Sequence, residues 1–226
     1  MTKVGVVIPA AGKGERAKGK IPKQFQEIVG VPMLLRTLRP FSAHPLVEQI
    51  VVALPADVAD DAPEWLATLI GERLHVVPGG ATRADSVYSG LMQLRDECDT
   101  VVVHDAARPF VSRETIDAVI EVAGGGLGAV ACVPVTDTLK RTVDGTSVVE
   151  TVNREGLWRA QTPQGFPLVM LRAAYDAAGA GAYAFTDEGS IAEAMGADVR
   201  IVPDAPLNFK VTTPEDFLIA EALAER

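Results

Sequence analysis

Short apolar runs alternate with segments of helical spacing along this chain. Val4–Ile8 is continuous and apolar, and Gln49–Leu54, Leu74–Val77, Thr100–Val103, Ala129–Val133 and Val199–Val202 repeat the pattern. Runs that are continuous rather than alternating predict strands of a sheet covered on both faces. Between them, Pro32–Phe41 places Leu34, Leu35 and Leu38 on one helical face, Ala81–Glu97 does so with Val87, Leu91 and Leu94, and Ser112–Val122 with Ile116, Val119 and Ile120. Ser112 reads as a helix N-cap. Thr213-Pro214-Glu215-Asp216 reads as a second helix start, with Pro first and acids in the first turn. Repeated β-α units of this kind predict an α/β fold with a doubly wound, mostly parallel sheet.

One stretch breaks the rhythm. Between Pro134 and Trp158 no helix is predicted; Thr138–Val143 and Ser147–Val152 read as two strands around an Asp144-Gly145 turn. A lone hairpin has little core of its own. Residues 134–158 therefore read as an inserted β-arm that packs on something else, a second subunit being the expected partner and its own domain the alternative.

Composition narrows the class. The 226 residues fit one domain spanning 1–226. No apolar run reaches the roughly 18 residues of a membrane span, and the N-terminus lacks the pattern of an export signal. The two cysteines, Cys98 and Cys132, read as small core residues, and a reducing cytoplasm is the expected location. The net charge of −9 argues against general binding to nucleic acid or to an anionic membrane. The charge is uneven, however. Lys13, Arg16, Lys18, Lys20 and Lys23 crowd the loop after the first strand against Glu15 alone, which points to a local anion site.

Two phosphate-binding patterns overlap that loop, and neither fits. Gly14–Lys20 imitates a Walker loop, but Ile21 occupies the Ser/Thr position that would hold Mg²⁺. Gly12–Ala17 imitates a dinucleotide fingerprint, but Gly19 and Pro22 spoil the helix that must follow at once. What survives is a small-residue loop whose backbone N–H groups and cations wrap a highly charged triphosphate.

Pro9-Ala10-Ala11-Gly12-x-Gly14-x-Arg16, followed by Pro22-Lys23-Gln24-Phe25, resembles the signature of the 2-C-methyl-D-erythritol 4-phosphate cytidylyltransferase family. The resemblance continues through Gly79-Gly80-x-x-Arg83-x-x-Ser86-Val87, His104-Asp105-Ala106-Ala107-Arg108-Pro109 and Asp137-Thr138-Leu139-Lys140. It runs on through Arg154, Leu157-Trp158-x-Ala160-Gln161-Thr162-Pro163-Gln164, Thr186-Asp187-Glu188 and Asn208-Phe209-Lys210-Val211-Thr212. It implies a Rossmann-like nucleotidyltransferase fold, with CTP and a sugar-alcohol phosphate as substrates and Mg²⁺ as the cation. It also implies a homodimer whose arms reach into the opposite subunit.

The resemblance further implies roles. Arg16 and Lys23 would touch the triphosphate and stabilise charge around the α-phosphorus. Ala10, Ala11, Gly12, Gly14, Gly80, Ser86, Asp105 and Ala106 would hold the nucleotide, with Asp105 also on the metal. Thr138, Arg154, Thr162, Thr186 and Lys210 would surround methylerythritol phosphate, Arg154 and Lys210 gripping its phosphate. Ala81 departs from the family, which often carries an acid there, and Leu207 departs from some relatives that carry one. Beside these roles stand plainer ones: Asp105 capping a turn next to Arg108, His104 supporting the strand end, Arg154 paired with Glu150 or Glu155, and Thr186 as a helix N-cap. A ribitol 5-phosphate cytidylyltransferase shares most of these motifs and is the nearest alternative. A catalytically silent nucleotide-binding protein and a nicotinamide oxidoreductase stand further off.

Overall fold

The computed structural model describes residues 2–12 and 22–225. Its frame is a seven-stranded sheet, built from β1 (Val4–Pro9), then the small pair β2 (Glu27–Ile28) and β3 (Val31–Pro32) that stands apart from it, and β4 (Val47–Leu54). Helix α1 (Met33–Ser42) lies between β3 and β4; α2 (Ala56–Asp60) and α3 (Glu64–Ala67) lead to β5 (Leu74–Pro78). Next come α4 (Arg83–Gln93), β6 (Thr100–Val103), α5 (Arg113–Gly124) and β7 (Gly128–Pro134). The hairpin strands β8 (Leu139–Thr142) and β9 (Val148–Val152) precede β10 (Trp158–Pro167), and α6 (Leu168–Ala178), α7 (Glu188–Ala194), β11 (Val199–Pro203) and α8 (Pro214–Ala224) complete the chain.

Strand order in the main sheet is β11-β7-β10-β6-β1-β4-β5, all parallel except β10, which runs antiparallel to both β6 and β7. Both faces are covered. Val6, Ile8, Ile50, Val52 and Val102 pack with Leu34, Leu38 and Phe41 of α1 and Ile116 and Val119 of α5; Val7, Val51, Ala53, Val101 and Val103 pack with Val87 and Leu91 of α4 and Leu171 of α6. Successive strand residues thus enter opposite cores, which is why the runs are continuously apolar.

Ser112 and Thr213 cap α5 and α8 as expected, and Thr213 and Asp216 form a reciprocal capping box. Two expectations need correction. Helix α4 is shorter than its apolar pattern, starting after Thr82, whose hydroxyl accepts the N–H of Asp85, and ending before Leu94, which is buried as the C-cap. Strand β10 was not legible at all. Its polar, proline-containing stretch fits between β6 and β7 because the ladder to β7 breaks between Ala160 and Gln164.

The arm stands out from this frame. Strands β8 and β9 pair around the Asp144-Gly145 turn, Gly145 adopts a positive φ of 76°, and nearly every residue of the two strands is exposed.

Candidate functional site

From β1 the chain moves outward to β4 and β5, then returns to place β6 on the other side of β1. The carboxyl ends of β1 and β6 therefore flank the point where strand order reverses, the usual ligand position in open α/β sheets. A cleft of about 780 Å³ opens there. Ala10, Ala11 and Gly12 form one lip and Gly80, Ala81 and Ser86 the other; Asp105 and Ala106 lie at the base, with Lys23, Lys210 and Arg83 around it.

Local chemistry shapes each wall. Gln24, 5% exposed, donates its side-chain amide to the carbonyl of Ala10 at 2.7 Å and pins the first loop. At Gly79 an added Cβ would lie 2.4 Å from the Cβ of Ala11, so only glycine lets the two lips approach this closely. The Ser86 hydroxyl donates to the carbonyl of Thr82 at 2.9 Å and accepts the N–H of Gly80 at 3.2 Å. Its proton is spent inside the protein, so toward a ligand Ser86 is an acceptor.

Asp105 is the electrostatic centre. Lys210 Nζ stands 2.9 Å from Oδ2, Arg83 Nε donates to Oδ1 at 3.1 Å, and Arg108 Nε lies 3.5 Å from Oδ2. Burial alone would push this carboxyl up; Arg83, Lys210 and Arg108 outweigh it and hold the group far below the usual carboxylate range. Arg108 does stand beside Asp105, as the plainer reading had it, but two further cations also converge there.

Behind Asp105 lies a buried chain of hydrogen bonds. Burial lowers His104 to about 4, so its ring is neutral near pH 7. Its Nε2 lies 3.0 Å from the carbonyl of Arg108, which can only accept, so Nε2 carries the proton. Nδ1 then accepts from the Thr162 hydroxyl at 3.1 Å, and the Thr162 oxygen accepts the N–H of Asp105 at 2.9 Å. The broken ladder of β10 is what aims Thr162 at the end of β6. His104 thus supports the strand end, as expected.

The structure does not bring every expected residue to this cleft. Arg16 and Gly14, with Lys13, Lys18 and Lys20, lie outside the described residues, as do the Walker-like stretch and all but Gly12 of the dinucleotide-like one. Thr138 and Arg154 belong to the arm and do not line the cleft of their own chain. Arg154 donates to the carbonyl of Thr136, while Glu150 pairs with Arg141. Thr186 borders a separate small hollow behind Arg83, together with Tyr175, Phe185 and Glu188. The helix cap there is Asp187, whose carboxylate accepts the N–H of Ser190 at 2.9 Å; this corrects the assignment to Thr186. Of the two departures, Ala81 lines the cleft and Leu207 is 56% exposed.

Residue-by-residue reading passed over Arg83, Glu188 and Gln24. Arg83 stood in a quoted motif without a role, and Glu188 looked like an ordinary first-turn acid. Among the described residues no group of three or more His, Cys, Asp or Glu side chains is placed to hold a metal ion. A single carboxylate such as Asp105 still suits Mg²⁺, which commonly takes one protein carboxylate together with substrate phosphates.

A doubly wound sheet with a cation-rimmed cleft at its switch point, small residues on both lips and a buried carboxylate at its base is the layout of a nucleotide-binding α/β protein. The sequence matches the 2-C-methyl-D-erythritol 4-phosphate cytidylyltransferase family over residues 4–226, and the chain belongs to that family. It is 41% identical to the Bacillus velezensis 2-C-methyl-D-erythritol 4-phosphate cytidylyltransferase over 220 residues, 96% of this chain and 94% of that protein. It is 40% identical to a "Bifunctional enzyme IspD/IspF" of Desulfotalea psychrophila over 96% of this chain, spanning only 55% of that longer protein. The crystal structure of the Thermus thermophilus 2-C-methyl-D-erythritol 4-phosphate cytidylyltransferase superposes with a TM-score of 0.84 at 35% identity, covering 100% of both chains. The ribitol phosphate alternative is not favoured by these likenesses.

Proposed function

We propose that the cleft binds CTP between its two lips and transfers the cytidylyl group to 2-C-methyl-D-erythritol 4-phosphate. The products are CDP-methylerythritol, for isoprenoid precursor synthesis, and pyrophosphate. The observation that carries this reading is the convergence of Lys23, Lys210 and Arg83 on the cleft that holds Asp105.

The reacting bond change is simple. An oxygen of the acceptor phosphate forms a bond to the α-phosphorus of CTP, and the bond from that phosphorus to the bridging oxygen of pyrophosphate breaks. The acceptor phosphate is largely ionised near pH 7, because the second pKa of a phosphate monoester is about 6. No general base is needed. Catalysis is positioning and charge neutralisation.

Lys23 and Arg16 neutralise the triphosphate, the ammonium as a point charge and the guanidinium as a fork. Backbone at Ala10, Ala11, Gly12, Gly14 and Gly80, with the Ser86 oxygen and Ala106, forms a slot for the pyrimidine. Asp105 would hold Mg²⁺, and the cation would supply charge neutralisation for the triphosphate. Lys210 takes the acceptor phosphate. Thr162 supports the acceptor side from behind, through the Asp105 backbone that it holds, and Thr186 supports it from the hollow behind Arg83.

Thr138 and Arg154 complete the acceptor site from the arm of a second subunit. Val143, Val148 and Val149 of the arm are apolar and exposed, which supports burial in a homodimer. The chain works as one nucleotidyltransferase domain, 1–226, with the arm at 134–158. The free, buried Cys98 and Cys132 support a reducing cytoplasm.

Calorimetric titration with CTP and with GTP in the presence of Mg²⁺ tests the slot. CTP binds and GTP does not at matched concentration; equal binding of both overturns the pyrimidine assignment.

A further inference from the structure

Arg83, the first residue of α4, makes its two shortest contacts away from the cleft. Its terminal nitrogens donate to both carboxylate oxygens of Glu188, at 2.7 and 2.9 Å, while its Nε reaches Oδ1 of Asp105. Glu188 opens α7 and is fully buried, and its Oε1 also accepts the hydroxyl of Tyr175 from α6 at 3.1 Å. Three helices and the end of β6 therefore meet in one network behind the carboxylate at the base of the cleft. A buried carboxylate stripped of its partner is strongly destabilising, so Arg83 cannot swing toward a substrate without stranding Glu188.

The two oxygens of Asp105 consequently differ. Oδ1 is held by a guanidinium clamped from behind. Oδ2 faces Lys210, a flexible side chain that is 41% exposed and able to exchange its partner for another ion, while Arg108 Nε stands 3.5 Å from the same oxygen without a hydrogen bond. We propose that Glu188 and Arg83 are positioning residues for Asp105: Glu188 fixes the guanidinium, the guanidinium fixes Oδ1, and Oδ2 becomes the oxygen offered to the divalent cation that accompanies CTP. This rests on the reading of Asp105 as the cation's protein ligand. Outer partners of this kind commonly tune metal affinity by 10–100-fold.

The test uses Mn²⁺ as the probe, its free fraction read by electron paramagnetic resonance in the presence of CTP, on wild type, Glu188→Gln and Arg83→Lys. Thermal unfolding confirms that each variant is folded. In Glu188→Gln the Mn²⁺ dissociation constant rises roughly tenfold or more; kcat falls, and KM for methylerythritol phosphate moves far less. A folded Glu188→Gln with wild-type Mn²⁺ affinity overturns the proposal. If that variant does not fold, Arg83→Lys decides: lysine keeps the charge but cannot span Glu188 and Asp105 together. The same rise is expected, and wild-type affinity overturns the proposal. Wild-type protein that takes up no Mn²⁺ with CTP overturns the cation reading itself, and the positioning role falls with it.

Discussion

Lys210 and Asp105 face each other across the cleft, Nζ to Oδ2 at 2.9 Å, joining the loop before α8 to the end of β6. The ammonium is the exposed partner and the carboxylate the buried one, so the lysine is the partner able to exchange onto a substrate phosphate. Lys210→Met is expected to raise KM for the acceptor and to lower turnover by 10²-fold or more, about 2.7 kcal/mol of transition-state stabilisation. Steady-state kinetics with each substrate varied in turn checks this. A variant in which only KM for CTP rises moves Lys210 to the nucleotide side.

Thr162 links His104 to the backbone of Asp105. Thr162→Val leaves the buried Asp105 N–H without an acceptor, at a cost of about 1–3 kcal/mol, and frees the end of β6 to shift. Thr162→Ser keeps the hydroxyl and restores both stability and turnover. Urea unfolding and kcat on the pair measure it. Equal stability of the valine and serine variants would show that the hydroxyl does not hold Asp105.

Asp216 anchors the loop that carries Lys210. Its Oδ2 accepts the N–H of Thr212 at 2.7 Å, the hydroxyl of Thr212 at 2.8 Å and the N–H of Thr213 at 2.8 Å. Burial is the largest single influence and pushes this carboxyl up, but the donors of Thr213 and Thr212 together outweigh it and lower it. A carboxyl depressed in the folded state stabilises fully above the unfolded value of about 4 and loses that contribution as pH falls below it. Asp216→Ala is expected to cost about 1 kcal/mol at neutral pH. It should also weaken the fall in stability between pH 5 and pH 2 and raise KM for the acceptor. Melting temperatures across that pH range provide the check; parallel curves for variant and wild type would contradict it.

Several parts of this architecture were readable from residues alone. The continuous apolar runs register a sheet packed on both faces, and Ser112 and Thr213 mark helix starts because their side chains satisfy N–H groups that the helix leaves open. That Ala10, Ala11 and Gly12 after β1 and Asp105 at the end of β6 lie on the ligand side of the sheet was legible, because strand ends carry that information locally. Strand β10 was hidden by Pro163 and the polar Gln161–Gln164 stretch, which only a broken ladder accommodates. The Arg83–Glu188 pair was hidden by its span of 105 residues and by the ordinary look of an acid in a first turn.

The arm carries Thr138 and Arg154 away from the cleft of their own chain. If each site combines Lys23 of one chain with Arg154 of the other, Lys23→Ala and Arg154→Ala proteins are each impaired alone. After subunit exchange, a mixed dimer contains one intact site and one doubly altered site. Activity then recovers to at most roughly a quarter of wild type, because half of randomly assorted dimers are mixed and each has one working site of two. If the arm serves its own cleft, mixing restores nothing.

Transfer of a cytidylyl group to methylerythritol phosphate is the activity assigned to this cleft. The most direct test is pyrophosphate release with CTP and Mg²⁺ in the presence of either 2-C-methyl-D-erythritol 4-phosphate or ribitol 5-phosphate. Release with the first acceptor, and little with the second, is the predicted result; release with ribitol 5-phosphate alone, or with neither acceptor in folded protein, would contradict it.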